Sequence, residues 1–489
     1  MLLYFILCLA AVLVVGAYRR RSEKHPPGPR SIPLFGNTHQ LNRPSRPEYL
    51  ASLTPIHGDV LYFSNPVLGH SILALNTYEA AHDLLVQRAS IYSDRPHSTM
   101  TLNIDVPTEW IITVSEQGDM AHVGALVEKL FHQHIGKNAI RDYSSAFEEE
   151  SRMLVHRLHQ KPDTFFDQIC LAVTRIILGV TYDYRSVQST SDPVTHLEQA
   201  VSYLVQSILP GRFLINVIPA LKYLPSWLPF LGDKKLALAW GKKSTKLAHH
   251  ISYSQATGTA APSFAMSMLE GKDTDDENIM MWLCASMYAG GAETTSTTLK
   301  WFFFAMMRYP EAQHTAQAEI DQVIGDRLPN LNDRDRLPYV EALIKELLRC
   351  FIIAPTALPH RLMEDDHYKG YFIPKGAMPN SLRRIVSISR NEEMYPNSEE
   401  FRPERFLEPS TKSGEFPMDP HKYVFGFGRR VCPGIDFADA SLFMNITTIL
   451  STTSIAPPSG TKGSTIALPL SQHSRYGGSS TFLKAEKHV

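Results

Sequence analysis

The feature that most constrains this 489-residue chain is a short loop of glycines and arginines that carries one cysteine. Residues 425–434 read Phe-Gly-Phe-Gly-Arg-Arg-Val-Cys-Pro-Gly, directly before a stretch that predicts a helix. The pattern F-x-x-G-x-R-x-C-x-G requires Phe425, Gly428, Arg430, Cys432 and Gly434 to occur together. Chance matches to so many fixed positions are rare, so the loop is a strong signal.

The residue types in this loop indicate a metal ligand with a tuned environment. A cysteine thiolate can be the axial ligand of a haem iron and push electron density toward it. Backbone N–H groups of a glycine-rich turn can approach the sulfur and tune the metal. Arg430 supplies a cation that could hold a haem propionate. The alternative is a buried structural cysteine beside a glycine-rich turn, which the full pattern makes much less favourable.

A second group of residues lies inside residues 277–307, a stretch whose apolar spacing predicts a helix. The sequence Gly-Gly-Ala-Glu-Thr-Thr begins there at Gly290. Each glycine in a helix interior lowers the stability of the helix by about 1 kcal/mol relative to alanine. A flat cofactor and a diatomic ligand that bind close to the helix backbone would offset this loss. Glu293 and Thr294 place an acid beside a hydroxyl, which together can relay protons. Packing of small residues between helices is the alternative.

Three further segments carry charged residues. Glu346 and Arg349 lie three residues apart on one predicted helix face, a spacing that alone says little because exposed helices offer many such pairs. The segment Phe-Arg-Pro-Glu-Arg-Phe downstream contributes Arg405. After the helix, Pro-His-Arg places His360 and Arg361 in a turn, where their alternative is simple exposure.

Together these motifs resemble, in order and approximate separation, those of the cytochrome P-450 family. Residues 306–310, 344–349 and 401–407 resemble fungal members that oxidise secondary metabolites. The resemblance implies a cytochrome P-450 fold, mainly α with small β-sheets. It implies haem b (iron with an axial cysteine thiolate) as cofactor, with Cys432 as metal ligand. The implied reaction inserts one oxygen atom from O2 into a hydrophobic small molecule.

The resemblance also implies roles for individual residues. Thr294 guides dioxygen protonation with Glu293 beside it, and His360 and Arg361 hold a propionate. The other cofactor-binding positions are those of the loop: Phe425, Gly428, Arg430, Cys432 and Gly434. Glu346, Arg349 and Arg405 form a buried network that is structural. Electrons need a separate source, because G-x-G-x-x-G does not occur in a strand-to-helix context. The resemblance implies that this source is an NADPH-cytochrome P-450 reductase.

The N-terminus predicts a membrane anchor. Residues 2–18 form an apolar run of about 17 residues, at the short limit for spanning a bilayer. Three arginines, at 19–21, follow it and predict that the rest of the chain stays in the cytoplasm. We therefore expect a single-pass signal anchor (1–21) in the endoplasmic reticulum membrane, a proline-rich hinge (22–40) and a haem-thiolate monooxygenase domain (41–489).

Charge, cysteine spacing and hydrophobic patterning indicate which partners, metal sites and secondary structure to expect. The net charge of −1 gives no basic field, so nucleic acid is not an expected partner. Five scattered cysteines without CxxC pairs argue against a disulfide framework or a zinc site. Patterning predicts a small sheet within 58–75, helices through much of 78–348, and short strands at 371–374 and in the tail. Residues 204–230, apolar but broken by prolines, predict a core helix pair with a proline-rich connection, whereas the resemblance implies a membrane-facing region over the substrate entrance.

Three segments depart from the family pattern. Residues 111–127 lack the expected tyrosine-glycine turn, and the positions before Phe131 have Gly124, Ala125, Glu128 and Lys129 where the family has W-R-x-x-R-R. Residues 378–389 lack an N-x-W strand, and the tail 454–489 is unlike the usual closing hairpin. A mis-spliced or frameshifted gene model explains such abrupt losses, with genuine divergence as the alternative. These losses leave open an inactive, haem-binding or haem-free remnant. A second alternative is an isomerase or dehydratase of the same family, which needs no external electrons.

Overall fold

The computed structural model describes residues 24–32, 36–37, 40, 53–65, 70–96, 121–183, 215, 219–225, 228, 263–271, 277–354, 358–380, 384–409, 414–457 and 484–486. The chain divides into two compact units: residues 1–96 with 355–387, and residues 97–354 with 388–489. The expected anchor, residues 1–21, lies outside the described residues. So does most of the segment 204–230.

The first unit contains a small sheet. Strand β1 (Val60–Asn65) pairs antiparallel with β2 (His70–Leu75), and β5 (Met378–Asn380) adds in parallel to the other edge of β2. A hairpin joins β3 (Asp366–Tyr368) and β4 (Tyr371–Ile373). Helices α1 (Tyr78–His82) and α2 (Ala89–Tyr92) flank a π-helical turn at Asp83–Gln87. The sheet expected within 58–75 is confirmed.

Alternation along β1 explains which face of this sheet is buried. Leu61 and Phe63 point to one side of the strand and pack with Ile72, Ala74 and Met378 in a separate apolar cluster. Side chains in a strand alternate between faces, so these positions share one face of the sheet.

The described part of the proline-rich segment is extended and packs against the first unit's sheet. The Tyr62 N–H donates to the Pro27 carbonyl at 2.9 Å. A Cβ on Gly28 would overlap the Tyr62 carbonyl oxygen, so only glycine permits this approach. The His25 ring stacks on Tyr62 at 4.6 Å, and its Nδ1 lies 3.1 Å from the Phe372 carbonyl oxygen. The segment therefore packs along strand β1 and is bound to it by a backbone hydrogen bond.

The second unit is mainly helical, as expected. Its longer helices are α3 (Ala121–Ile135), α4 (Ser144–Gln160), α5 (Phe165–Tyr182), α6 (Phe264–Gly271), α7 (Glu277–Arg308), α8 (Pro310–Ile324), α9 (Pro338–Cys350) and α12 (Ile435–Leu450). Shorter helices are α10 (Arg384–Ser389), which crosses the boundary between the two units' ranges, and α11 (His421–Val424). Strands β6 (Ser454–Ala456) and β7 (Lys484–Glu486) pair antiparallel.

Short 3₁₀ segments connect these helices, at Ala139–Tyr143, Pro162–Thr164, Pro219–Tyr223, Leu331–Arg336, Pro403–Phe406 and Gly428–Arg430. Local sequence sets several helix ends. Helices α8 and α9 each begin at a proline, whose missing N–H costs nothing at a first helical position. The Glu319 carboxylate accepts the N–H groups of Tyr339 and Val340, at 2.8 and 3.0 Å, and so caps α9.

The core of the second unit surrounds α7. Helix α7 packs against α5 and α12, and all three carry apolar residues around most of their circumference. The segment Pro162–Tyr182 is long and apolar enough to cross a membrane. It is mostly buried and packs against α4 and α7, which explains it as a core helix.

Two of the three atypical segments still contain strands. Met378–Asn380 pairs with β2 although the expected N-x-W sequence is missing. In the tail, Ile455 of β6 lies opposite Ala485 of β7. The backbone pairing of a short strand requires little of its side chains, so an atypical sequence is compatible with it.

Candidate functional site: the Cys432 loop and helix α7

The loop that carries Cys432 joins α11 to α12 and is closed by backbone hydrogen bonds. The Cys432 N–H donates to the Phe425 carbonyl at 2.7 Å, and the Arg430 N–H to the Phe427 carbonyl at 3.3 Å. Gly426 and Gly428 have φ values of +93° and +59°, in the left-handed region that favours glycine. The glycines of the motif thus allow the chain to turn tightly around the cysteine.

The Cys432 sulfur is half-buried, and backbone surrounds it closely. Burial raises the pKa of the thiol, and the Gly434 backbone N–H, donating to the sulfur, opposes that rise. A Cβ on Gly434 would lie 4.0 Å from the sulfur, which is ordinary van der Waals contact. By contrast, burial raises the pKa of Cys284 and of Cys350 to about 12.

Helix α7 has a strip of exposed residues in a largely buried stretch. Gly290, Glu293 and Thr294 are exposed, whereas the neighbouring Ala289 and Ala292 are buried. The exposed positions follow the spacing i, i+3, i+4, so they lie on one face of the helix. The two predicted proton-relay residues therefore share a face with a residue that has no side chain.

The two adjacent glycines of α7 have different surroundings. A Cβ built on Gly291 would lie 2.9 Å from Cδ1 of Ile177 in α5, whereas a Cβ on Gly290 would have no atom of another described residue within 4 Å, its own helix backbone and chain neighbours aside. Gly291 is therefore explained by close packing of two helices, the alternative considered from the sequence. Only Gly290 remains available to face a bound group.

Hydroxyl groups along α7 bond back to the helix. Thr294 Oγ1 donates to the Gly290 carbonyl at 2.7 Å, and Thr298 Oγ1 donates to the Thr294 carbonyl at 2.9 Å. Ser296 Oγ donates to the Glu293 carbonyl at 3.1 Å. Such bonds compete with the helix ladder and favour local bending. The Thr294 proton is thus directed at a carbonyl, and its oxygen lone pairs stay able to accept a hydrogen bond.

The structure brings together Glu346, Arg349 and Arg405, which are almost completely buried. The Glu346 carboxylate accepts two bonds from the Arg349 guanidinium, both at 2.8 Å, and one from Arg405 Nε at 3.0 Å. The Arg402 backbone N–H adds a fourth bond at 2.7 Å. A buried carboxylate is tolerated where its lone pairs are satisfied in this way.

Both arginines of this network also bind backbone carbonyls. Arg349 donates to the carbonyls of Ser389, Ser398 and Glu400, at 2.7, 2.8 and 3.0 Å. Arg405 donates to the carbonyls of Pro396, Asn397 and Glu400, at 2.9, 3.3 and 3.0 Å. The network therefore ties α9 to the irregular segment 389–405.

His360 and Arg361 belong to the first unit. His360 Nδ1 lies 2.9 Å from the Tyr92 carbonyl, so this nitrogen carries a proton. Arg361 binds the buried Asp94 carboxylate through Nε and Nη2, at 2.7 and 2.5 Å. The Arg361 guanidinium is thus oriented by a carboxylate within its own unit.

The sequence reasoning missed an ionic cluster next to the cysteine loop. The ring nitrogens of His421 in α11 lie 2.8 Å from Asp419 Oδ1 and 3.1 Å from Asp439 Oδ1 in α12. The sequence shows Asp419 two residues before His421, but only the fold brings Asp439 to the opposite side.

Comparison with known proteins gives the family. The family model of cytochrome P450 matches residues 26–474. The chain belongs to the cytochrome P450 family.

Similar proteins come from fungi. Cytochrome P450 monooxygenase claR of Ampulloclitocybe clavipes is 36% identical over 464 residues, which cover 93% of this chain and 84% of the relative. Cytochrome P450 monooxygenase 208 of Postia placenta is 37% identical over 454 residues (89% and 86%). Tryptamine 4-monooxygenase of Psilocybe cyanescens is 33% identical over 483 residues (96% and 93%). The predicted family and enzyme class, a monooxygenase, are confirmed.

Members of the cytochrome P450 family bind haem through an axial cysteine thiolate and use dioxygen with electrons from a redox partner, so the predicted haem cofactor is confirmed. The residues present fit that cofactor. The Cys432 thiol is half-buried, with a backbone donor on its sulfur, and the loop turns at glycines that no larger residue replaces without strain. The exposed strip of α7 adds a residue without a side chain beside an acid and a hydroxyl.

Proposed function

We propose that this chain is a membrane-anchored haem-thiolate monooxygenase of fungal secondary metabolism, with Cys432 as the axial ligand of its haem b. The proposed reaction inserts one oxygen atom from O2 into a hydrophobic small molecule. The observation that carries the proposal is the half-buried Cys432 sulfur, which accepts the Gly434 N–H in a loop that turns at Gly426 and Gly428.

The chain would hold the cofactor through residues of its two motifs. Haem supplies dioxygen activation when bound, and the protein supplies binding, orientation and electrostatics. Cys432 would ligate as a thiolate, because coordination deprotonates a thiol despite the burial that raises its pKa. Arg430 in the loop, and His360 and Arg361 after α9, would hold the propionates.

Thr294 and Glu293 would move protons on the exposed strip of α7. Thr294 Oγ1 donates to the Gly290 carbonyl and keeps lone pairs that can accept a hydrogen bond from a proton donor. To pass its own proton onward, the hydroxyl would turn away from that carbonyl. Glu293, one residue earlier and exposed, can exchange protons with water. Within the described part of the chain, no side-chain atom beyond its immediate neighbours lies within 4 Å of where a Gly290 Cβ would be. Phe425 and Gly428 would support the loop, and Glu346, Arg349 and Arg405 would hold its scaffold.

The proposed setting follows from the N-terminus and from the absence of an electron-transfer motif in the sequence. Residues 1–21 would anchor the chain once in the endoplasmic reticulum membrane, and 22–40 would lead to a cytoplasmic catalytic domain at 41–489. An NADPH-cytochrome P-450 reductase in the same membrane would supply the electrons.

Reconstitution with that reductase tests the proposal. The full chain, co-expressed with a reductase, is supplied with NADPH, isotopically heavy dioxygen and a panel of hydrophobic small molecules. We expect a product that contains one heavy oxygen atom and depends on both NADPH and reductase. Turnover without NADPH would instead identify an isomerase or dehydratase. Failure to retain haem would identify an inactive remnant.

A further inference from the structure

The surroundings of His421 require the charged form of its ring. Both ring nitrogens face carboxylate oxygens, Nδ1 that of Asp419 and Nε2 that of Asp439. A neutral imidazole has only one N–H, so one lone pair would point at a carboxylate oxygen. The imidazolium, with two N–H donors, satisfies both contacts.

The charges around His421 balance only when it is protonated. Asp419 also pairs with Lys345 of α9 at 2.9 Å. Asp439 of α12 also pairs with Arg334 at 2.5 Å, and Arg334 pairs with Glu341 of α9. The cluster contains three carboxylates, two other cations and His421, so a neutral His421 would leave it with one excess negative charge.

The pKa of His421 agrees with this geometry. Burial alone would lower the pKa, but the hydrogen bonds to and charges of Asp419 and Asp439 outweigh burial and raise it to about 9. In return, His421 and Lys345 outweigh the effect of burial on Asp419 and hold its pKa well below the ordinary value.

His421 contacts the cysteine loop through Phe425. The two rings stack with centroids 5.5 Å apart and an interplanar angle of 19°. A cation within about 6 Å of an aromatic ring centroid is attracted to its face. The backbone carbonyl of Phe425 accepts the Cys432 N–H at 2.7 Å. A short chain of contacts therefore runs from α12, through His421 and Phe425, to the residue that holds the sulfur.

We propose that His421 is a positioning residue: as an imidazolium held between Asp419 and Asp439, it fixes Phe425 and thereby the geometry of the Cys432 loop. The inference rests on the proposed function, because it assumes that Cys432 is the haem ligand. Among the contacts of the described residues, His421 reaches the cysteine loop through the Phe425 ring, so we assign its effect on Cys432 to Phe425.

The test uses the full-length holoprotein and two substitutions with opposite expectations. His421→Gln removes the charge, whereas His421→Arg keeps a planar cation that can reach both carboxylates and stack on Phe425. Lys422→Gln is the matched control, because it removes a positive charge from an exposed neighbour on the same short helix. Circular dichroism establishes that each variant is folded.

Two quantities are measured: the rate of haem loss to a scavenger protein, and the thiolate-type Soret band of the reduced protein under carbon monoxide, from pH 6 to 10. In the wild type and in Lys422→Gln, we expect this band to weaken as the pH is raised, with a midpoint near pH 9, where His421 loses its proton. We expect His421→Gln to lose haem roughly tenfold faster and to show no midpoint there. His421→Arg should retain both haem and band, without the midpoint.

Equal haem-loss rates and equal pH profiles in the wild type and His421→Gln would overturn the inference and leave the proposed function standing. Absence of a thiolate-type band in the wild type itself would overturn both. If His421→Arg does not fold, the haem-loss rates and pH profiles of His421→Gln and Lys422→Gln still decide whether the inference holds.

Discussion

Gly291→Ala, made with and without Ile177→Val, tests whether the second glycine of α7 exists for helix packing. An alanine Cβ at 291 would lie 2.9 Å from Ile177 Cδ1, but 3.6 Å from Cγ1, which is ordinary contact. Alanine gains about 1 kcal/mol over glycine in a helix interior. An added methyl group in a well-packed core lowers the free energy of unfolding by about 1–3 kcal/mol. The single Gly291→Ala variant should therefore be unchanged or destabilised by up to about 2 kcal/mol.

Ile177→Val removes Cδ1, the atom that overlaps. Ile177→Val alone should lower the free energy of unfolding by about 0.5–1.5 kcal/mol, because packing contacts are lost. In its presence Gly291→Ala should become stabilising by about 1 kcal/mol, since only the helix-propensity gain remains. The expected coupling between the two sites is thus about 1–3 kcal/mol, above the roughly 0.3–0.5 kcal/mol seen for independent sites.

The assay is thermal unfolding of the four haem-loaded proteins, with bound haem measured for each. For a chain of 489 residues, 1 kcal/mol shifts the melting midpoint by about 1 °C, so replicate scans are needed. Additive effects, with the cost of Gly291→Ala unchanged by Ile177→Val, would refute the packing explanation. Gly290→Ala with Ile177→Val is the control, and these two should be additive.

Four other predictions test the site. Gly290→Ala should not lower the free energy of unfolding of the haem-free protein, because, its own helix backbone and chain neighbours aside, no other described residue lies within 4 Å of its Cβ, but should lower monooxygenase turnover. Thr294→Ala should raise NADPH consumption per product formed, and Thr294→Ser should restore the wild-type ratio. Glu346→Gln should cost about 3–5 kcal/mol in urea unfolding, because two buried guanidiniums lose their carboxylate. The stabilisation from charged His421 should be complete below pH 6.5 and lost as pH rises through about 9. That loss amounts to about 3 kcal/mol and should be absent in His421→Gln.

Much of the site could be predicted from the sequence because its motifs are local. The glycines around Cys432 predict a tight turn, and in the structure Gly426 and Gly428 have positive φ. The pair Glu346 and Arg349 is visible as an i, i+3 spacing. Arg405, far along the chain, could be assigned to that pair only through the family resemblance, and the structure brings it to Glu346.

Other features depend on how elements are rotated and packed, which local sequence does not encode. Gly290 and Gly291 look equivalent in the sequence, yet only Gly291 faces Ile177, because adjacent helix positions point about 100° apart. The partnership of His421 with Asp439 requires α12 to lie beside α11. Gly28 reads as part of a proline-rich linker, and its contact with Tyr62 appears only once the sheet is formed.

The most direct measurement of the central claim is the carbon monoxide difference spectrum of the reduced protein, for the wild type, Cys432→Ala and Cys170→Ala. Cys170 is a half-buried cysteine in α5, outside the loop, and serves as the matched control. The account predicts a thiolate-type Soret band in the wild type and in Cys170→Ala, and its complete loss in Cys432→Ala. A thiolate-type band that survives in Cys432→Ala would contradict it.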